Sequence, residues 1–478
     1  MISFITQRFP FFIVGYFVLQ IIIRLLTTNI AVLDESEQIM LSQYFSLGYN
    51  EQPPLYTWIQ MAVFKLTGIS IFGLSLLKNT LLCLTYVFIY KLGVLLMADK
   101  LKASLSAVSL FLLPQMVWDA QVDQTHTVFL TTATAITVYL FFYIVKKEAS
   151  WLYFLFFGIS SGIGLLAKYN FILVLIALGG VALYIPAYRK AFYKKALLLS
   201  ILVAFCMVLP HFLWFISHLD VATNRTVERM NAGHTTNVLV NFAKGSGDLI
   251  FSIIAFLSPF WLLFILFFRK KFTWKLDIQT KALIVYGVII FTLLFVMVVL
   301  SGTTHIKERW LQPYLVIVPL FVFSQVATID VKWSRRFIIL SLIAPIVVAL
   351  VVLIRPWLID VRGKPTRASY PFEQLAYAMK QQLPHIEKSL MYAEDKYIGG
   401  NLKLFFPEAT IITPSLPNQP YVLSNNVVLF WEIEKPATFI ETLILGGYAC
   451  EEYQHRIAFQ KSKKLFYEAK IMQCKKEA

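Results

Sequence analysis

The stretch that decides the fold lies at residues 33–58 and has the sequence LDESEQIMLSQYFSLGYNEQPPLYTW. It is polar and acidic, and it stands between two long apolar runs at residues 10–32 and 70–97. Each run reaches the roughly 20 apolar residues that a helix needs to cross a bilayer. Inside the stretch, Glu37–Gly48 and Leu55–Leu66 alternate polar and apolar residues at helical spacing, which predicts two short amphipathic helices in the membrane interface.

The composition extends this pattern to most of the chain. Of 478 residues, 58% are hydrophobic and only 15% are charged, a balance that is not typical of soluble domains. We predict a polytopic α-helical membrane protein with about 11 spans. The predicted spans are residues 10–32, 70–97, 103–118, 126–145, 151–167, 170–187, 196–216, 247–268, 282–300, 311–328 and 337–356.

The distribution of positive charge predicts the orientation. The net charge of +16 comes from short Lys and Arg clusters between apolar runs, which favours cytoplasmic loops over nucleic-acid binding. With the N-terminus in the cytoplasm, inside segments carry about 17 Lys and Arg and outside segments about six. An odd number of spans then places the C-terminal tail outside.

The tail after residue 356 differs in character from the rest. Short apolar runs at Leu402–Phe406, Thr410–Ile412 and Val427–Trp431 predict strands, and Phe372–Gln382 predicts a helix. We therefore divide the chain into a transmembrane domain, 1–356, and a small extracytoplasmic α/β domain, 357–478. Its two cysteines, at positions 450 and 474, lie on the oxidising side and form either a disulfide or two free thiols.

Three carboxylates share one depth at the outer surface. Asp34 follows the first span, Glu51 precedes two prolines that turn the chain back to the bilayer, and Asp123 begins the fourth span. Carboxylates in this position act as a general base, bind a divalent cation, or do both. Their spacing leaves these alternatives open.

Several motifs resemble a known family. Leu33-Asp34-Glu35 and the later Tyr49–Trp58 element are similar to those of bacterial polyprenyl-phosphate-sugar glycosyltransferases. These enzymes are related to protein O-mannosyltransferases and to the aminoarabinose transferases of lipid A. Further matches are Gly164–Tyr169 and Lys307–Pro313. The resemblance covers residues 1–356 and implies the GT-C fold, with interfacial helices and a catalytic aspartate in the first outer loop.

The resemblance also assigns site residues. It places Asp34 at the catalytic aspartate, Glu51 at the acidic position of a Glu-x-Pro-Pro element, and Asp123 at the carboxylate that opens the fourth span. Lys168 matches the basic position after the fifth span. Gln52 and Glu37 stand where lipid A transferases typically have Lys and Arg, so the donor phosphate is left to other outward cations. We predict that Lys168, Lys307 and Arg309 bind it.

A metal site is a second expectation for this loop region. The long outer loop at 217–246 contains His234, and a histidine there is able to join Glu51 as a ligand of a divalent metal. A solvated loop histidine is the alternative. No other cofactor is expected.

These observations and the resemblance together predict a glycosyltransferase of the bacterial inner membrane, and the resemblance implies that it is inverting. It would move a hexosyl or pentosyl group from a polyprenyl-phosphate donor to lipid A, another glycan or a protein on the periplasmic face. The C-terminal domain would help to select the acceptor. A transporter or flippase of lipid-linked sugars is the alternative. Such proteins typically have charges near the bilayer midplane and an internal repeat, which this sequence does not show. A polymerase or ligase with a lipid-diphosphate donor is a third alternative. Such enzymes usually have a large Arg-rich outer loop, and that signal is weak here.

Overall fold

The computed structural model describes residues 2–148, 150–192, 194–231, 237–383, 385–416 and 419–476. The chain packs as two compact units. We call them the membrane unit, which comprises residues 1–19, 46–56 and 78–348, and the sheet unit, which comprises residues 20–45, 57–77 and 349–478. The sheet unit thus includes most of the predicted first outer loop together with the C-terminal tail.

Helices dominate the chain up to residue 362. Those of the first half are α1 Ile2–Gln7, α2 Phe9–Thr27, α3 Leu33–Leu41, α4 Leu55–Thr67, α5 Ile71–Met97, α6 Lys100–Val108, α7 Ala120–Val122, α8 His126–Lys147, α9 Trp151–Ala167, α10 Ile172–Tyr184, α11 Pro186–Phe192, α12 Lys195–Ser217 and α13 Leu219–Asn231. Those that follow are α14 Val238–Phe268, α15 Ile278–Ser301, α16 Gln312–Leu315, α17 Val318–Ser324, α18 Val331–Ile354 and α19 Ile359–Arg362.

The membrane character of the fold is confirmed. Within the described residues, seven helices are long and apolar enough to cross a bilayer, and two bent helix pairs raise the number to nine. The predicted spans at 151–167 and 311–328 correspond to shorter apolar helices, Trp151–Ala167 and Gln312–Ser324. The count of 11 spans stays a prediction. Of the two helices predicted in the first outer loop, Leu55–Leu66 is confirmed as α4. The helix predicted at Glu37–Gly48 is wrong in its bounds, because α3 spans Leu33–Leu41 and residues 42–48 are not helical.

The predicted span at 103–118 is broken rather than continuous. Its two helical parts, Lys100–Leu112 and Gln115–Val122, meet at 76°. Pro114 lies at the break, and proline lacks the N–H that an α-helix needs in its interior. A π-helical turn follows at Gln115–Asp119, a conformation that is frequent at functional sites.

The C-terminal tail forms a five-stranded mixed sheet with helices. The helices are α20 Phe372–Gln382, α21 Lys396–Phe405 and α22 Ala437–Leu445, and the strands are β1 Leu390–Ala393, β2 Thr410–Ile412, β3 Asn426–Trp431, β4 Tyr448–Ala458 and β5 Phe466–Lys476. The strand order is β2-β1-β3-β5-β4. β1 is parallel to β2 and β3, whereas β5 is antiparallel to β3 and β4. The predicted small α/β fold of the tail is confirmed.

Local predictions in the tail had mixed outcomes. The helix Phe372–Gln382 and the strands at Thr410–Ile412 and Val427–Trp431 are confirmed. The strand predicted at Leu402–Phe406 is wrong, because this stretch forms the last residues of helix α21, and Phe406 is its C-cap. Asp395 caps the start of this helix, where its carboxylate accepts a hydrogen bond from the Ile398 N–H at 2.8 Å.

The two cysteines of the tail form a disulfide. Cys450 on β4 lies directly opposite Cys474 on β5, and their sulfur atoms are bonded. Cys474 is fully buried in a core cluster that includes Leu429 and Trp431. The bond therefore fastens the long β4–β5 hairpin at the position where it joins the core.

Lys403 on α21 provides a pH-dependent prediction. Its ammonium is buried and donates a hydrogen bond to the Ala409 carbonyl at 2.7 Å. Burial lowers the pKa of Lys403 to about 8. Between this value and the ordinary lysine pKa near 10.5, the unfolded chain binds more protons than the folded one, so stability rises with pH.

Between pH 7.5 and 9.5, we expect the midpoint of thermal unfolding in detergent to rise by roughly 2–4 °C more for the wild-type protein than for Lys403→Met, which lacks this titration. Both proteins are scanned across the same buffers, because other groups titrate equally in each. Parallel pH profiles for the two proteins would show that Lys403 does not contribute this dependence.

Candidate active site

Asp34 is the second residue of α3 and belongs to the sheet unit. The helix begins after Val32, whose backbone is extended. Asp34 and Glu35 occupy the first turn, where the positive end of the helix dipole stabilises negative charge. The predicted catalytic aspartate therefore lies at a helix N-terminus.

A buried ion pair supports this turn. Arg24, near the end of α2, is 2.8 Å from the carboxylate of Glu35, and the Glu35 side chain is 1% exposed. The same guanidinium donates to the carbonyls of Thr28 and Ile30 at 2.9 and 2.8 Å. Arg24 thus has the carboxylate partner that an arginine inside a span requires, and Glu35 is structural.

Glu51 lies in the membrane unit and is buried. The turn that carries it is closed by the Asn50 side chain, which accepts a hydrogen bond from the Gln52 N–H at 3.0 Å. Pro53 and Pro54 then lead into α4. The Glu51 carboxylate interacts electrostatically with the hydroxyl of Tyr169, the residue after the predicted cation Lys168.

Lys168 lies where α9 ends and has an extended backbone. Its ammonium donates to the Thr127 hydroxyl at 3.1 Å, in the first turn of α8. A ring nitrogen of His126 is 3.3 Å from the Ala167 carbonyl. These two contacts tie the end of α9 to the start of α8, so the structure brings Lys168 close to the helix that Asp123 precedes.

A small polar cavity of about 230 Å³ lies beside Asp123. Asp119 interacts electrostatically with Asp123, Glu308 and Arg309. The structure thereby brings together three predicted site residues, Asp123, Lys307 and Arg309. The lining residues are Gln115, Asp119, Asp123, Gln124, Lys307, Glu308 and Arg309.

Two hydrogen bonds place the segment of Lys307 and Arg309 against the membrane helices. The Gln312 amide donates to the Thr131 hydroxyl on α8 at 3.2 Å, and the Tyr314 hydroxyl donates to the Asn170 carbonyl at 3.0 Å. These contacts hold the start of α8, the end of α9 and α16 close together.

Sequence reasoning missed two polar residues of this region. Gln124 lines the cavity, is 3% exposed, and has no hydrogen-bond partner for either side-chain amide atom in the described part of the chain. Lys78 is 2% exposed on α5 and donates to the Gln121 carbonyl at 3.4 Å. A lysine inside an apolar span is itself a signal of function, whereas a loop glutamine carries none.

An aromatic row beside Lys168 was also missed. The Tyr169 hydroxyl is 3.1 Å from a ring nitrogen of His211, and the two rings stack. Trp214 stacks on both His211 and His218. The signal in the sequence is the near-helical spacing of His211 and Trp214 on α12 and of His218 at its C-cap.

The proposed metal ligands are only partly described. Glu51 is placed as above, whereas His234 lies outside the described residues. Among the residues that the structure does describe, no group of three or more His, Cys, Asp or Glu side chains is arranged to hold a metal ion.

Comparisons with known proteins agree with this geometry. Residues 51–214 match the family model described as dolichyl-phosphate-mannose-protein mannosyltransferase. The chain is 32% identical over 462 residues to the lipopolysaccharide core galacturonosyltransferase RgtA of Rhizobium johnstonii, covering 92% of this chain and 91% of the relative. It is 32% identical over 431 residues to RgtB of the same organism, covering 88% and 86%.

A solved structure has the same fold. ArnT from Cupriavidus metallidurans, bound to undecaprenyl phosphate, superposes with a TM-score of 0.61 at 11% identity and 98% coverage of both chains. Its apo form gives a TM-score of 0.58. The chain belongs to the GT-C polyprenyl-phosphate-sugar glycosyltransferases, as the sequence motifs predicted. It is an integral membrane glycosyltransferase.

Proposed function

We propose that the enzyme transfers a uronic acid from a polyprenyl-phosphate donor to the lipopolysaccharide core on the periplasmic face of the inner membrane. The observation that carries the proposal is the identity of 32%, over about nine tenths of both chains, to a protein named as a lipopolysaccharide core galacturonosyltransferase. The fold shared with a protein solved with undecaprenyl phosphate supports a lipid-linked donor. The positive charge of the inner segments supports a cytoplasmic N-terminus and a periplasmic C-terminal domain.

The proposed reaction is a single displacement with inversion. Asp34 accepts the proton of an acceptor hydroxyl, whose oxygen forms a bond to the anomeric carbon of the sugar. The bond from that carbon to the phosphate oxygen breaks, and polyprenyl phosphate leaves. Lys168, Lys307 and Arg309 stabilise the negative charge that develops on the leaving phosphate. Glu51 and Asp123 orient the reacting groups.

The polar cavity provides room for the donor sugar. Its volume of about 230 Å³ is below the range of pockets for drug-sized ligands and suits a single sugar ring. A buried amide without a partner is unfavourable unless a ligand satisfies it. We therefore assign Gln124 to the sugar hydroxyls, and the cations of the cavity to the phosphate and the uronate carboxylate.

Replacement of Gln124 by leucine tests this assignment. The variant keeps a similar volume and removes both amide atoms, so kcat/KM for the lipid-linked donor should fall about 10-fold or more. Gln382→Leu, an exposed position on α20, serves as the matched control. Equal kinetics for the two variants would remove Gln124 from donor binding.

A divalent metal and the domain division remain part of the proposal. Glu51 would be a ligand if a metal is required, and chelator treatment followed by metal addition measures that requirement. Residues 1–356 would carry catalysis, and residues 357–478 would contribute to acceptor selection.

A panel of lipid-linked donors tests the sugar class. Purified enzyme in liposomes is given polyprenyl-phosphate donors that carry a uronic acid, a neutral hexose or an aminopentose, with truncated lipopolysaccharide core as acceptor. We expect transfer of the uronic acid. Transfer of the aminopentose to lipid A instead would contradict the proposed specificity while leaving a transferase. Movement of donor across the bilayer with no transfer would favour the transporter.

A further inference from the structure

The C-terminal part of the sheet unit holds the segment that carries Asp34. We define the Asp34 segment as residues 28–43, and every contact below lies within the sheet unit. At its start, the Thr28 hydroxyl donates to the Ala368 carbonyl at 3.1 Å, and the Asn29 amide donates to Glu373 at 2.6 Å. The segment is therefore fastened to the tail six residues before the aspartate.

The middle of the segment is clamped by one buried side chain. Asn401 on α21 is 0% exposed. Its amide oxygen accepts from the Ala31 N–H at 2.9 Å, and its amide nitrogen donates to the Ala31 carbonyl at 3.0 Å. The same nitrogen lies 3.2 Å from the Ser36 hydroxyl. Asn401 thus fixes the backbone three residues before Asp34 and a side chain two residues after it.

Two adjacent glycines let α21 approach α3 closely. A Cβ added at Gly400 would lie 2.4 Å from the Ser36 carbonyl oxygen and 2.5 Å from its Cα, and one at Gly399 would lie 2.9 Å from the Met40 sulfur. Glycine disfavours a helix interior. Its presence twice in the centre of α21 therefore has a packing reason, which is the close approach of α3, with Ser36 backbone at Gly400 and the Met40 side chain at Gly399.

The far end of the segment is anchored as well. Gln43 forms a reciprocal pair with the backbone of Ile411 on β2, accepting from its N–H at 3.0 Å and donating to its carbonyl at 2.9 Å. Lys396, the first residue of α21, pairs with Glu37 on α3 at 2.9 Å, and both side chains are largely buried. Contacts with the C-terminal tail are thus made both before and after Asp34 in the sequence.

We propose that Gly400 and Asn401 are positioning residues that set the location of Asp34 through α3. This inference rests on the proposed role of Asp34 as the base. The C-terminal domain is accordingly part of the catalytic apparatus, in addition to any role in acceptor selection. A displacement of the base by about 1 Å reduces the rate of a positioned reaction by up to about 100-fold.

Gly400→Ala is the principal variant, because its new methyl group meets backbone that cannot rotate away. We expect kcat to fall about 10- to 100-fold while the KM for the lipid-linked donor stays within about 2-fold. Gly446→Ala is the control, since its Cβ would lie 3.3 Å from two carbonyl oxygens of its own helix end and 3.6 Å from the Tyr448 ring. Gln43→Ala, which removes one anchor without crowding, is the second variant and should lower kcat in the same sense.

A readout that does not depend on catalysis separates this inference from the proposed function. A spin label is attached to Asp34→Cys in a Cys83→Ser, Cys206→Ser background, since these are the free cysteines of the described residues. Gly400→Ala should broaden the range of label motion, and Gly446→Ala should not. Unchanged label motion, or unchanged kcat in Gly400→Ala, would overturn the positioning role. Full activity of Asp34→Asn would instead show that Asp34 is not the base. The label measurement would then still test whether Gly400 fixes the position of α3.

Discussion

Asp34→Asn should abolish sugar transfer while leaving donor binding and folding intact. The amide has the shape of the carboxylate but cannot accept the acceptor's proton at neutral pH, and positioned general bases contribute about 100- to 10,000-fold to rate. The neighbouring contacts of Arg24 with Glu35 do not involve the substituted group, so α3 should form as before. The measurement is kcat with purified enzyme and lipid-linked donor.

The matched control is Asp220→Asn, an exposed carboxylate in the first turn of α13. We expect this variant to retain wild-type activity and thermal stability. If Asp34→Asn kept activity within a few-fold of the control, a carboxylate at position 34 would not be the base, and Glu51 and Asp123 would be the next candidates.

Lys168→Met should produce the second-largest loss. The ammonium of Lys168 is held by the Thr127 hydroxyl at 3.1 Å, next to the start of α8. In the proposed reaction this cation stabilises the charge that develops on the leaving phosphate, and removal of one such group typically reduces kcat by about 100- to 1,000-fold. Lys168→Arg should recover part of the rate, because it restores the charge with a different geometry.

Lys244→Met controls for the loss of one positive charge from an outer segment. Lys244 is exposed on α14, and its removal should leave kcat unchanged. If both lysine variants lost activity equally, the effect would be one of overall charge. If neither did, Lys307 and Arg309 beside the cavity would be the remaining phosphate ligands.

The helical part of the architecture could be predicted because its signals are local. Apolar runs of span length identify the membrane helices, and the amphipathic spacing of Phe372–Gln382 identifies α20 with its correct bounds. The break at Pro114 was not predicted, because the run around it is apolar on both sides and only the angle between its two halves reveals the bend.

The C-terminal sheet was harder to predict for physical reasons. Leu402–Phe406 is a short apolar run that fits a strand or a helix, and packing of α21 on α3 decides for the helix. β4 has largely exposed and polar residues, so no clear alternation marks it. Strands β1 and β5 depend on partners distant in sequence.

Motif and charge together identified residues that the structure brings close to one another. Asp123, Lys307 and Arg309 do line one cavity. Gln124 was missed because a neutral loop amide has no sequence signal, and its importance comes only from burial without a partner. The role of Asn401 was equally invisible, since its partner Ala31 lies 370 residues away.

The most direct test of the account follows a doubly labelled polyprenyl-phosphate uronic acid in liposomes that contain the purified enzyme and a lipopolysaccharide core acceptor. We predict that one polyprenyl phosphate is released for each sugar attached to the acceptor, and that Asp34→Asn gives neither product. Sugar that crosses the bilayer still attached to its lipid, without release of polyprenyl phosphate, would contradict the transferase proposed here.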